Sequence, residues 1–159
     1  MHLRSSDGLR VAGRMTVRAT PAGSNGQGRP VYEATTPNLV VDSGLALVGN
    51  MLIDTEDVGL TYHAIGTGTA TPAAGDTALA TETARKLWTS KVQVGATLTY
   101  TVFYLASECA FNIAEVGVFG SATASASAGS GVLFARLLQA YDNSAGLVDL
   151  TFEYELTIG

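Results

Sequence analysis

The last twelve residues but one, LVDLTFEYELTI, constrain this chain more than any other segment. Val148, Leu150, Phe152, Tyr154, Leu156 and Ile158 alternate without a break with Asp149, Thr151, Glu153, Glu155 and Thr157. Strict period two places successive side chains on opposite faces of an extended strand, one on a core and one on water or a partner. Burying each apolar member contributes roughly 1.5–3 kcal/mol before conformational entropy is charged against it. A fold containing this strand has to be built around it, and an antiparallel sheet is the natural host.

The rest of the chain carries the same rhythm with one interruption. Residues 9–19 place Val11, Gly13, Met15, Val17 and Ala19 on one side and Arg10, Arg14 and Arg18 on the other. The turn-rich stretch 20–30 then predicts a flexible loop, and 30–34 a returning strand, so residues 1–37 read as an N-terminal β-hairpin arm. Residues 62–68 form a short strand, 69–84 a connection with a helical turn at 76–80, and 86–94 with 97–106 a hairpin across Gly95-Ala96. Residues 112–119 and 132–139 form another, joined by the low-complexity loop 120–131, which predicts a mobile tip. The interruption is Asp42-Ser43 followed by GLALVGNMLI, where Leu45, Val48, Met51 and Leu52 recur at helical spacing. It predicts one short α-helix near residues 43–53, capped by Asp42 or Ser43. The expected fold is all-β, mainly an antiparallel β-sandwich, with residues 38–159 forming the sandwich.

In the 112–139 hairpin, a turn centred near 125–126 sets Phe119 opposite Val132, Gly117 opposite Phe134 and Ile113 opposite Leu138. It also sets Glu115 opposite Arg136, the only acid and only base of these two strands. A cross-strand ion pair between them would help to fix register.

Composition limits function. Nine basic residues against fourteen acidic ones give a formal net charge of -5, which argues against binding nucleic acid through its phosphates. Charged residues make up 14% of the chain, against about 25% in a typical globular protein, which suits a surface covered by neighbours. No apolar run approaches the ~20 residues needed to cross a bilayer, and no secretory leader is recognisable, so synthesis in a cytoplasm is expected. Cys109 is the only cysteine and reads as a packed thiol; His63, in YHAIG, reads as a strand residue. GTGTAT at 66–71 lacks the third glycine of a dinucleotide loop, and Asp54, Glu56 and Asp57 lack EF-hand spacing. Glu82 and Arg85 are placed for a local ion pair. Trp88, Tyr100, Phe103, Tyr104, Phe111, Phe119, Phe134, Phe152 and Tyr154 fall mostly within strands, where core packing explains them and a glycan-stacking platform is the rival use. No catalytic residue, cofactor site or metal site is expected. A hydrolase using Glu153 or Glu155 is the weakest alternative, since no cleft marks them.

Several blocks together resemble a class of tailed-bacteriophage virion proteins. NLVVDSGLALVGNMLI is similar to their lead into a short helix. YHAIGTGTATPAAGDTALATETARK is similar to the block that follows, FNIAEVGVF with GVLFARL to a strand pair, and LVDLTFEYELTI to their closing strand. The resemblance spans about residues 38–159 and implies a β-sandwich module of tail fibres, baseplates or collars, acting as a virion structural protein and homo-oligomer among other virion proteins. The sequence stops after the last strand, where such proteins commonly carry a receptor-reading domain. A docking role is therefore expected, with capsid decoration and host glycan or receptor binding through the 20–30 and 120–131 tips as alternatives. Arg10, Arg14 and Arg18 are the candidate docking residues, reaching toward an acidic neighbour. A separable arm implies that deleting residues 1–37 spares the sandwich and stops incorporation.

Overall fold

The computed structural model describes residue 8 and residues 10–159. Two five-stranded antiparallel sheets face each other. The strands are β1 (Val11–Pro21), β2 (Tyr32–Pro37), β3 (Leu39–Val40), β4 (Leu60–Gly66), β5 (Glu82–Leu87), β6 (Ser90–Val94), β7 (Thr97–Tyr104), β8 (Asn112–Gly120), β9 (Val132–Asp142) and β10 (Val148–Ile158), with one helix, α1 (Asp42–Leu52). The first sheet runs β2-β1-β10-β7-β6 and the second β3-β9-β8-β4-β5. Among the described residues the protein is an all-β sandwich with one α-helix, in keeping with the alternation of the last strand.

The closing strand β10 lies at the centre of the first sheet, between β1 and β7. Leu150, Phe152 and Tyr154 are fully buried, and they meet Met15, Val17, Val102 and Tyr104 in one core between the sheets. Gly13 lies under Tyr154: a Cβ there would stand 2.4 Å from the Tyr154 hydroxyl oxygen, so only glycine fits. Asp149, expected on the wet face, is buried instead. Its Oδ2 accepts from the backbone N–H groups of Gly23 and Asn25 and its Oδ1 from that of Ala106, so it binds the 20–30 loop to the start of β10.

The division at residue 37 does not hold as an arm and a sandwich. The predicted hairpin forms, but β1 pairs with β10 along its whole length, from Val11 opposite Ile158 to Pro21 opposite Val148. Its apolar side, Met15, Val17 and Ala19, is part of the main core. A strand with that many buried residues cannot be held apart from its sheet without losing their burial.

Three local expectations also change. The segment 86–94 is not one strand. The Trp88 N–H still donates to Thr61 O beside the second sheet, whereas the Thr89 N–H donates to Thr101 O in the first, so the chain changes sheets between them. Gly95, in the left-handed region, then turns β6 into β7 as the sequence indicates. Residues 76–80 form no helical turn. In α1 the N-cap is Val41, without a side-chain cap; the Ser43 hydroxyl donates to Leu133 O instead. The helix packs on β9 through Gly44, where a Cβ would stand 2.1 Å from Phe134 O.

A second, smaller core lies on the outer face of the second sheet. It comprises Val41, Ala64, Leu79, Phe119 and Leu133 and is covered by the 67–81 connection. Part of the surface expected to need neighbours is thus covered by the chain itself. The 120–131 loop is held as well. Arg85 pairs with Glu82, lies 4.4 Å over the Phe119 ring, and donates through Nη1 to Ser125 O and Ser130 O; Gly129 N–H donates to Glu82 Oε2.

Candidate interaction surface

The sandwich positions three kinds of polar site and one apolar one. The predicted pair of Glu115 and Arg136 is in contact, but not by the predicted register. The ladder leaves the turn one residue off the expected register, with Phe119 facing Leu133, and a bulge between Val118 and Phe119 shifts it once more, so Arg136 faces Gly117 and Glu115 faces Leu138. Glu115 therefore lies diagonally from Arg136 on one face, a distance long side chains cross. Arg136 Nη2 and Nε donate to Glu115 Oε2 at 2.8 and 3.1 Å. The Ala80 N–H donates to the same oxygen, and the N–H groups of Gly68 and Thr81 to Oε1. Arg136 continues to Asp76 Oδ2 at 2.6 Å and Ala70 O at 2.9 Å. The Ala73 N–H and then Arg136 hold the Asp76 carboxyl below the usual carboxylate range. Apart from the Glu115–Arg136 pair itself, which joins β8 to β9, the contacts of this buried cluster to Gly68, Ala70, Asp76, Ala80 and Thr81 fasten the 67–81 connection to the second sheet. Its role is structural.

Arg14 and Arg18 lie on the outer face of the first sheet. Arg14 pairs with Glu155 at 2.7 Å; Arg18 pairs with Glu33 at 2.5 Å and Glu153 at 3.6 Å. These are partners within the same sheet, where Arg14 stands directly opposite Glu155. Exposed pairs of this kind are worth under about 1 kcal/mol each. Two of the three expected docking residues are thus already matched to acids of their own chain. Arg10 differs. Its backbone exchanges hydrogen bonds with Gly159, and its exposed side chain makes no ion pair among the described residues.

His63 and Cys109 are buried. The Tyr104 hydroxyl donates to His63 O, so its own lone pair is left to accept from His63 Nδ1, leaving Nε2 bare and without a partner. Burial pushes the imidazole down to about 3, and it is neutral at physiological pH. Burial likewise pushes the Cys109 thiol up to about 11. Among the described residues no cluster of three metal-ligating side chains occurs, and no helix is long and apolar enough to cross a membrane. Of the acids after α1, Glu56 accepts from the N–H groups of Val58 and Ala122, while Asp54 and Asp57 face solvent.

The apolar site is a groove at one end of the sandwich, with a cavity of about 340 Å³. One wall is α1, through Leu47, Val48 and Met51; the other is the ends of β7 and β10, through Leu98, Leu156 and Ile158. Leu52 also lines the groove and is 73% exposed, and Ile53, which follows it at the end of α1, is 69% exposed. Beyond Leu98 and Tyr100, a shallower groove continues to the edge strand β6, all of whose residues are exposed. A row of free backbone groups at a sheet edge is a template for pairing with another chain. The sequence reading did not single out this end. A signal was present: Leu45 and Leu52, two turns apart, lie on the flank of the helix away from buried Gly44 and Leu47.

Neither a protein family, nor a curated protein, nor a solved structure was found to match this chain.

Proposed function

We propose that this chain is a non-enzymatic structural protein of a tailed bacteriophage particle, docking on the tail or neck as a fibre, baseplate or collar component. The observation that carries the reading is the apolar groove, continuous with the unpaired edge β6 and bordered by exposed leucine and isoleucine. Such a surface is costly to leave in water and is what subunits in an assembly cover. The order of sequence blocks resembling virion proteins supplies the particle. The low charge density agrees with a surface made for contact rather than for free diffusion.

Docking is by apolar burial and sheet-edge pairing at the groove end, not by Arg14 and Arg18. A glycan-reading role has less support, because neither 20–30 nor 120–131 contains an aromatic ring on which a sugar could stack. Capsid decoration uses the same surface chemistry at another position. The test is mass spectrometry and immunogold labelling of density-purified particles from the host strain that produces this chain. The reading expects the protein in stoichiometric amounts with label at the tail or neck. Label on the head favours decoration, and absence from particles overturns the reading.

A further inference from the structure

We propose that Asn25 is a site of spontaneous deamidation, attacked by the Gly26 backbone nitrogen and held in check by the buried Asp149 carboxylate. Residues 24–27 form a tight turn in the 20–30 loop. Asn25 and Gly26 both lie in the left-handed region, with φ of 53° and 73°, and the Gln27 N–H donates to Ser24 O at 3.0 Å. This is the pattern of a type I′ turn, for which Asn-Gly is the preferred pair. Asn25 is exposed. Among the described residues, neither its side-chain amide nor the Gly26 N–H makes a hydrogen bond. Electrophile and nucleophile are thus adjacent, solvated and unoccupied, and glycine brings no side chain to obstruct the attack.

The fold sets the other four asparagines apart from this one. Asn38 donates through its amide to the Tyr154 hydroxyl, and Asn143 is buried with its amide bound to Cys109 O and Val148 O. Asn50 lies within α1, where the next N–H belongs to the helical ladder. Asn112 opens β8 and is followed by β-branched Ile113, whose side chain crowds the nitrogen.

The Gly26 nitrogen gives its proton to solvent base and attacks Asn25 Cγ. The new C–N bond closes a five-membered succinimide, and the side-chain nitrogen takes up a proton and leaves as ammonia. Water then opens the ring. Addition at Cγ breaks its new bond to Gly26 and gives aspartate. Addition at the backbone carbonyl breaks the original peptide bond and gives isoaspartate, with the chain running through Cβ and Cγ. In sum, an amide and water become a carboxylate and ammonium.

Ring closure rotates the Asn25 Cα–C bond out of the left-handed well, so the turn has to open first. Asp149 opposes that opening. Its Oδ2 accepts from the N–H groups of Gly23 and Asn25 at 3.1 and 3.2 Å, and an ionised acceptor holds such donors about twice as strongly as a neutral one. Either product places a new negative charge on the residue whose own N–H binds Asp149, and isoaspartate also lengthens the turn by one backbone atom. Conversion therefore loosens the loop.

The test is incubation of the full chain at mildly alkaline pH, native and in urea, with peptide mapping by fragmentation that separates aspartate from isoaspartate. In the native chain residue 25 is expected to convert ahead of the other four asparagines, faster as the pH rises and more slowly than in urea. Asp149→Asn, confirmed folded by circular dichroism, should raise the native rate by about fivefold. In converted protein the amides of residues 23 and 25 should lose hydrogen-exchange protection. A native chain intact at Asn25 while the unfolded chain converts there overturns the site, as does earlier conversion at another asparagine. Equal native and unfolded rates overturn the restraint, and so does a folded Asp149→Asn that converts no faster than wild type; the native-to-urea comparison keeps this decidable if that variant fails to fold.

Discussion

Replacing Glu115 by alanine tests how much the buried cluster contributes. The carboxylate is fully buried and accepts five hydrogen bonds, three from backbone N–H groups and two from Arg136. Truncation leaves the N–H groups of Gly68, Ala80 and Thr81 without their acceptor. Arg136 keeps Asp76 and Ala70 O, so its charge is not wholly stranded. Breaking a buried pair by removing one partner costs about 3–5 kcal/mol, and Glu115→Ala belongs in that range. With a urea slope of about 2 kcal/mol/M, the unfolding midpoint should fall by about 2 M. Glu115→Gln keeps an acceptor but loses the charge facing Arg136, and should cost about 1.5–3 kcal/mol. The pair Glu115→Leu with Arg136→Met should be less damaging than the sum of its parts, because it leaves no lone charge. Urea titration followed by tryptophan fluorescence reads all of these through Trp88. A loss under about 1 kcal/mol for Glu115→Ala would refute the view that this carboxylate holds the 67–81 connection.

His63 predicts an acid-labile fold. Its imidazole titrates near 3 in the folded chain and near 6.5 when unfolded, so the stability it confers is complete above 6.5 and is lost as the pH falls toward 3. Between pH 7 and 5 this amounts to about 2 kcal/mol, which urea titrations should show and which His63→Phe should abolish; equal pH slopes in both proteins would contradict it. Deleting residues 1–37 removes β1, strips β10 of one neighbour and opens the main core. The truncated chain should show no cooperative thermal transition, and a cooperative one would restore the idea of a separable arm.

Period two in the last strand and in residues 11–19 made the sandwich legible, because each strand has one face in a single core. Helical spacing located α1 for the same reason. Sheet membership was less legible. Nothing in KLWTSKVQV marks the change of sheets at Trp88-Thr89, since both halves alternate alike and only the partner strands differ. Bulges were equally hidden: the extra residues in β9 displaced the register while Glu115 and Arg136 still met diagonally. Asp149 looked wet because alternation carries no record of a loop folding back over the start of a central strand. The arginines Arg14 and Arg18 looked free because their acids, Glu33, Glu153 and Glu155, are distant in sequence and adjacent only once β1 lies between β2 and β10. The groove was the least legible feature, being made of the ends of elements whose coming together is a property of the whole fold.

The most direct measurement of the central claim is a cryo-EM map of the intact tailed particle. The expected map shows this sandwich in symmetric copies at the tail or neck, with Leu52, Ile53 and the groove beside them sealed against protein. A map that leaves that end facing solvent in every copy, or that contains no such sandwich, would contradict it.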